Sequence, residues 1–449
     1  MQLHARQPNI LFIVADDHRH DAIGALGHPT VQTPNLDRLV EDGTAYLQAH
    51  IMGGLSGAVC MPSRASILSG ANVFRAGGQF EIAEELELLP ETLQKHGYET
   101  YAVGKWHNDL ASFNKSFTGG SRIFFGGMSE HEAVPTHAFD PSGQYPEAAA
   151  EIREQHSSEL FSDAAIAFVE SREAKDKPYF LYLAYTAPHD PRTAPERFHA
   201  RYPAAQIQLP PNYASEHPFE TGEMDVRDEQ LAALPRRGDE VRQNIADYYA
   251  IISHLDEQIG RVLRTLADRE QLENTLIVYT ADHGLSVGQH GLLGKQNMYD
   301  HSVRIPWILR GPDVPQGVRL EGLISQIDIY PTICDYLGIP RPETLEGRSH
   351  FPQWASGNAG RDYVCAVFRN YQRMIKNGRW KLIRYYYDEE TADGSDRLQL
   401  FDLVEDPWET VNLAQRADLR EILLELAEAL RAWQYEVGDP LVDRPILLD

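Results

Sequence analysis

The 449-residue sequence has little cysteine: Cys60, Cys334 and Cys365 are the only three. That excludes a disulfide framework and agrees with a reducing compartment. No apolar run approaches the length that crosses a bilayer, so no membrane span is expected. Positive charge is scarce, with 41 Lys and Arg against 66 Asp and Glu and a formal net charge of −25. Nucleic acid is excluded as a partner, because a phosphate backbone selects a basic surface. An anionic substrate would need a local positive site set against that field. Met1 to Pro8 is short and polar, without an apolar signal region or a small-residue cleavage site. A native Met1 therefore implies the cytoplasm. A removed signal peptide replaced by a cloning Met would look the same and would imply a periplasmic or secreted protein. Internal repeats are absent, and nothing in the sequence fixes an oligomeric state.

What is present is enough apolar residue, 42%, to bury a sizeable core. The length suits one large domain and a smaller one. Ile10–Val14, Tyr179–Leu183 and Leu276–Tyr279 read as strands buried on both faces, with Tyr101–Val103 a shorter candidate. Ile245, Tyr248, Tyr249, Ile252, Leu255, Ile259, Val262 and Leu266 fall on one helical stripe. Continuous apolar strands with intervening helices predict an α/β fold, a large and mostly parallel sheet sandwiched by helices. After about Gly347 the pattern changes. Arg379–Tyr385 alternates as a half-solvated antiparallel strand would, and Leu419, Ile422, Leu423, Leu426, Leu430 and Trp433 form a second helical stripe. We divide the chain into a catalytic domain, residues 1–355, and a small C-terminal α+β domain, residues 356–449. The Pro- and acid-rich stretch from Gln208 to Glu240 has no period and is expected to be a lid or a flexible insertion.

The strand ends carry the chemistry. The first long strand runs into Asp16 and Asp17, the short one into Gly104-Lys105-Trp106-His107, the third into Pro188-His189-Asp190 and the fourth into Asp282-His283-Gly284. Ligands of open α/β sheets bind at the carboxyl ends of strands. Any one of these could be an ordinary polar loop; four together bring carboxylates, imidazoles and an ammonium to one edge.

Val59-Cys60-Met61-Pro62-Ser63-Arg64, continuing to Leu68-Ser69-Gly70, resembles the C-x-P-S-R, x-x-x-L-x-G signature of the type I, formylglycine-dependent sulfatases, members of the alkaline phosphatase-like superfamily. Asp16-Asp17 is similar to that family's first metal-ligand pair, and Thr33-Pro34-Asn35-Leu36-Asp37 to the stretch after it. Gly104-Lys105-Trp106-His107 resembles its second motif. Asp282-His283-Gly284 with Gly294-Lys295 resembles its second metal pair and sulfate-binding lysine. Leu400–Leu403, Asp406-Pro407 and Asn412-Leu413 are similar to its C-terminal domain.

The resemblance implies hydrolysis of sulfate monoesters, with Cys60 oxidised by a formylglycine-generating maturation enzyme. One hydroxyl of the aldehyde hydrate attacks sulfur and the other expels sulfate; a plain Ser or thiol lacks that exit. Outside its motif, Cys60 would read as a packed small hydrophobe. Ser63 onward looks like a helix start, which places Cys60 beside partial positive charge. The implied metal ligands are Asp16, Asp17, Asp282 and His283, with modified Cys60 completing the set. Three carboxylates favour Ca2+; the imidazole suits Mn2+ or Zn2+ better than Ca2+, and Mn2+ or Mg2+ is the alternative ion. Arg64 would orient the hydrate, and Lys105 and Lys295 would bind sulfate oxygens. His107 would be the base and His189 the acid, although those two roles could be exchanged. Asn108, Asp190, His290, Asp300 and His301 lie near the motifs without an assigned role, and Cys334 and Cys365 read as packed cysteines. The expected substrate is a small-molecule or oligosaccharide sulfate ester, a sulfated carbohydrate in preference. Ser121 to Asp140 is a candidate pocket wall and Tyr213 to Glu240 a candidate cover. A phosphonate monoester or phosphodiester hydrolase of the same superfamily is the alternative, and a catalytically dead relative would have lost at least one of these positions.

Overall fold

The computed structural model describes residues 7–77, 79–173, 177–351 and 360–445. Its strands are β1 (Asn9–Ala15), β2 (Thr44–His50), β3 (Gly53–Gly54), β4 (Glu99–Lys105), β5 (Gly119–Phe124), β6 (Pro135–Thr136), β7 (Glu151–Ile152), β8 (Tyr179–Ala184), β9 (Thr275–Ala281), β10 (Arg304–Arg310), β11 (Val318–Ser325), β12 (Val364–Phe368), β13 (Gln372–Lys376), β14 (Trp380–Asp388) and β15 (Asp393–Asp402). Its helices are α1 (Pro34–Glu41), α2 (Cys60–Ser69), α3 (Leu89–Lys95), α4 (Leu110–Ser116), α5 (Ser157–Glu170), α6 (Glu196–His199), α7 (Gly238–Asp268), α8 (Asp300–Val303), α9 (Ile329–Leu337) and α10 (Arg420–Val437).

The large sheet has the order β11-β2-β10-β9-β1-β8-β4-β5. Seven of its eight strands run one way, and β10 alone runs antiparallel to both neighbours. The apolar runs of β1, β8 and β9 are buried throughout because helices cover both faces. One group of helices is α7 with α1, α5 and α6; another is α2 with α3 and α9. The stripe read on α7 faces inward: Ile245, Tyr248, Ile252, Leu255, Ile259, Val262 and Leu266 are buried, with Tyr249 at its margin.

The second sheet has the order β15-β14-β13-β12-β3. Its edge strand β3 comes from just before Cys60 and pairs in parallel with β12, so the small sheet is stitched to the catalytic segment. The α10 stripe packs Leu423, Leu426 and Leu430 against Ile375, Leu382 and Leu400. The alternation in β14 has a different cause from the one expected. Lys381 and Arg384 are buried, not solvated. The opposite face of this sheet, with Met374, Ile383 and Tyr385, joins the main core. Lys381 therefore lies in the interface, where Asp300 at 2.5 Å and Glu409 at 2.6 Å neutralise it. The division at 355/356 falls within residues 352–359, outside the described residues.

No helix among the described residues is long and apolar enough to cross a membrane.

Candidate active site

The topology explains why distant motifs meet. β9, β1, β8 and β4 are consecutive in the sheet and parallel, so Asp282, Asp16, the His189 loop and Lys105 leave at the same edge. Because β10 returns antiparallel, the whole connection from Asp282 to Val303, with Lys295, lies at that edge too. β2 also ends there and leads through β3 to α2.

α2 begins at Cys60, three residues earlier than expected, so Cys60 lies in the first turn, at the partly positive end of the helix. Arg64 is four residues on and shares its face. Gly70 ends the helix with φ 63, and a Cβ there would meet Leu345 Cδ2 at 2.5 Å, so the last position of the signature needs a glycine. Asp17 and His107 both hold left-handed backbone, φ 67 and 64. Such non-glycine outliers directly after strands mark positions where side-chain aim outweighs backbone comfort.

The structure brings together every candidate named from the sequence. Three buried carboxylates pair one to one with three buried cations: Lys105 Nζ to Asp16 Oδ2 at 2.5 Å, Lys295 Nζ to Asp17 Oδ1 at 2.9 Å, and Arg64 Nε to Asp282 Oδ2 at 2.9 Å. His283 Nδ1 lies 2.9 Å from Asp17 Oδ1, and His189 Nε2 lies 3.8 Å from Asp17 Oδ2. Cys60 Sγ is 3.1 Å from His107 Nδ1 and 3.9 Å from Lys105 Nζ. Burial works against the Cys60 thiolate, but Lys105 and His107 outweigh it and hold the thiol well below its ordinary range. Burial and then repulsion from Asp16 push Asp282 up to about 6. Burial opposes the charged His283, yet Asp17 and Asp282 push it up to about 10. Burial lowers His107.

The donor set fits a cation. Asp16, Cys60, Asp282 and His283 each offer an atom within 4.8 Å of the others, and Asp16, Asp17 and His189 form an overlapping group. Asp16 Oδ1, His283 Nε2 and Arg64 Nη2 are buried without a hydrogen-bond partner. Buried polar atoms are ordinarily satisfied, so this cluster of orphans is one an ion and an anionic ligand would complete.

Some groups were not singled out individually as site residues in the sequence, although Asp228 and Glu229 lie in the candidate cover and Gly127 in the candidate wall. The excursion from Gln208 to Glu240 is packed into the site: Asp228 lies 3.9 Å from Lys295 Nζ, and Glu229 accepts from Leu293 N and Gly294 N. Tyr248 donates to Asp17 O at 2.6 Å, and Gly127 O accepts from Lys105 Nζ at 2.6 Å. Other residues near the motifs have partners within the protein. Asn108 donates to Met61 O and Phe80 O. Asp300 pairs with Lys376 and Lys381, His301 with Ser286, and the His290 ring stacks on Tyr299. Cys334 and Cys365 are buried free thiols whose pKa values are raised by that burial.

A Cβ at Gly127 would stand 2.4 Å from His107 Nε2. Gly127→Ala should therefore displace His107 from Cys60 and lower kcat by about 10²-fold. The melting temperature should change little, because only one side chain must move. Unchanged kcat in the folded variant would show that the place of His107 is unimportant.

Comparison with known proteins agrees along the chain. The family model described as Sulfatase matches residues 8–339, and that of the N-sulphoglucosamine sulphohydrolase C-terminal domain matches residues 288–436. An N-acetylglucosamine-6-O-sulfatase of Bacteroides thetaiotaomicron is 27% identical, covering 97% of this chain and 88% of that protein. A solved structure of an enzyme with its substrate D-glucosamine-2-N,6-O-disulfate superposes with a TM-score of 0.81 at 23% identity, covering 98% of this chain and all of that one. The phosphonate monoester hydrolase of Agrobacterium radiobacter superposes with a TM-score of 0.76 at 21% identity, covering 96% of each chain. These two likenesses show that the fold is shared. The family models span both sheets and every motif gathered here, and the chain therefore belongs to the sulfatase family and is a sulfuric ester hydrolase.

Proposed function

We propose that the protein removes sulfate from a sulfated carbohydrate, with Cys60 matured to formylglycine and Ca2+ held by Asp16, Asp17, Asp282 and His283. One observation carries this reading: three carboxylates and three cations balance around Cys60. A divalent ion added to that balanced shell leaves net positive charge facing an anionic ester, despite a protein of net charge −25. The choice of a carbohydrate is supported by the relative named for N-acetylglucosamine 6-sulfate. When present, the formylglycine hydrate supplies the nucleophile, and the cation supplies Lewis-acid polarisation of a sulfate oxygen. A separate maturation enzyme is required.

The chain's own groups then take distinct parts. Lys105 and Lys295 hold sulfate oxygens, and Arg64 orients the group at position 60. His107 Nδ1, 3.1 Å from Cys60 Sγ, is placed to hold a proton exchanged with that group, so we assign it the base. His189 Nδ1 is 2.8 Å from Asp190 O and donates to it, which leaves Nε2 on the site side; in the doubly protonated ring Nε2 carries the second proton, and we assign His189 the acid that gives this proton to the leaving oxygen.

An unactivated sugar alkoxide needs that proton, whereas a nitrophenolate needs it far less. His189→Ala should lower turnover of a sugar sulfate by roughly 10²–10⁴-fold, with a much smaller loss on nitrophenyl sulfate. Equal losses would remove the acid role. The carbohydrate reading is tested by screening sulfated mono- and oligosaccharides beside aryl sulfate and aryl phosphonate. Fastest turnover is expected on a sugar sulfate. A phosphonate ester turned over faster than every sulfate would overturn the proposal in favour of the superfamily alternative.

A further inference from the structure

We propose that three consecutive residues, Arg227, Asp228 and Glu229, form a positioning clamp that fixes the Lys295 loop and the His189 loop against one another. The proposal rests on reading Lys295 and His189 as groups that face the sulfate ester.

These residues open a short turn, Arg227–Leu231, in the segment that enters neither sheet. Asp228 and Glu229 are nevertheless each only 9% exposed. Carboxylates in a surface excursion are ordinarily solvated, so burying two in succession requires specific partners. Glu229 has them. Its Oε1 accepts from Leu293 N at 3.1 Å and Gly294 N at 2.7 Å, and its Oε2 from Leu293 N at 2.9 Å and Arg236 Nη2 at 2.7 Å. Those two amides immediately precede Lys295. A Cβ at Gly294 would stand 2.9 Å from Glu229 Oε1 and 2.6 Å from Gln296 Oε1, so the glycine before the lysine makes room for the carboxylate.

Asp228 takes the other side of the same loop. Its Oδ2 accepts from Gln296 Nε2 at 3.0 Å and lies 3.9 Å from Lys295 Nζ. Gln296 Nε2 also donates to Gly57 O at 3.0 Å, three residues before Cys60. Arg227 points the opposite way. Its two terminal nitrogens fork onto the Asp190 carboxylate, Nη2 at 3.0 Å from Oδ1, and Nη2 also donates to Asp228 Oδ1 at 2.7 Å. Asp190 in turn seats His189, whose Nδ1 is 2.8 Å from Asp190 O and 3.3 Å from Asp190 Oδ1. A bidentate guanidinium fixes orientation as well as distance.

One turn thus reaches the loop of the anion-binding lysine, the loop of the acid and the approach to Cys60. None of its three side chains is among the groups that would meet the ester; all act through others. Lysine is a point charge on a flexible stem, so the place of its ammonium depends on how firmly its backbone is held.

The test uses the matured full-length enzyme and the variants Glu229→Ala, Glu229→Gln and Arg227→Ala. Sugar sulfate turnover, which depends on the His189 acid, is read together with inorganic sulfate binding by calorimetry. Glu229→Ala should lower kcat/KM by about 10²-fold and weaken sulfate binding about tenfold. Glu229→Gln keeps an acceptor for the two amides and should recover most of both losses. Arg227→Ala should lower kcat while leaving sulfate affinity within about threefold, because it acts on the His189 side. A turn that served stability alone would lower the melting temperature of all three and leave the kinetic constants of the folded protein unchanged; that result overturns the clamp. Should Glu229→Ala fail to fold, Glu229→Gln and Arg227→Ala decide alone, and kinetic constants within about twofold of the unaltered enzyme in both reject the proposal. Absence of sulfate ester turnover in the unaltered enzyme would instead reject the functional reading, and sulfate binding by the variants would then judge the clamp.

Discussion

Asp282→Ala is expected to abolish activity and to destabilise the fold at the same time. Asp282 accepts four hydrogen bonds: Arg64 Nε on Oδ2, Asp17 N and His283 N on Oδ1, and Ser63 Oγ on its carbonyl. Removing the side chain takes an oxygen ligand from the proposed cation and takes from Arg64, 1% exposed, its nearer charge partner, leaving Asp16 at 4.0 Å. Breaking one half of a buried ion pair costs about 3–5 kcal/mol. The stabilisation that a bound ion gives the folded state is lost as well. Chelation of the unaltered enzyme should reproduce the loss of activity and part of the loss of stability, both restored by added Ca2+. Asp282→Asn keeps the shape and an acceptor for Arg64, so it should recover stability more than activity. Full activity in Asp282→Ala, with no metal found by elemental analysis, would refute the metal site.

Cys60→Ala should remove turnover altogether, by the 10⁵–10⁶-fold, in order of magnitude, that deletion of a covalent nucleophile costs elsewhere. The fold should survive. Cys60 is one small residue in the first turn of α2, and Ala is a good helix former there. Melting temperature should therefore stay close to that of the unaltered enzyme, separating chemistry from architecture, while metal affinity falls by the one ligand that position 60 contributes. Cys60→Ser tests the same point more finely. A serine hydroxyl can be sulfated but has no second hydroxyl to expel the sulfate, so a single turnover followed by arrest is expected. Sustained turnover by Cys60→Ala, measured on protein free of unaltered enzyme, would exclude a nucleophile at this position.

Much of this site was legible in the sequence for a physical reason. Strands buried on both faces must be continuous apolar runs, so β1, β8 and β9 are conspicuous, and the residues that follow them lie at one sheet edge. The strand ends and the ordered motifs then named the carboxylates, lysines, arginine, cysteine and histidines of the site, though not Asp228, Glu229, Tyr248 or Gly127. Legibility failed where burial depends on a distant partner. Arg379 to Tyr385 alternates like a solvated strand, yet Lys381 is buried because Asp300 and Glu409 come from elsewhere in the chain to meet it. The excursion from Gln208 to Glu240 has no period because, apart from the turn at Arg227–Leu231 and the first residues of α7, it forms no regular element. Its order comes from single side chains reaching backbone amides and, through Arg227, the Asp190 carboxylate, contacts that leave no pattern in sequence. The pairing of β3 with β12 was equally silent, since two glycines carry no strand signal.

The central claim is that Cys60 works as formylglycine, and peptide mass spectrometry of catalytically active protein tests it most directly. The protein should be made together with a maturation enzyme, and its specific activity recorded beside the fraction of the Cys60 peptide that carries the aldehyde. The account predicts that the two rise together and that protein with thiol alone turns over no sulfate ester. Active enzyme carrying only unmodified thiol at Cys60 would contradict it.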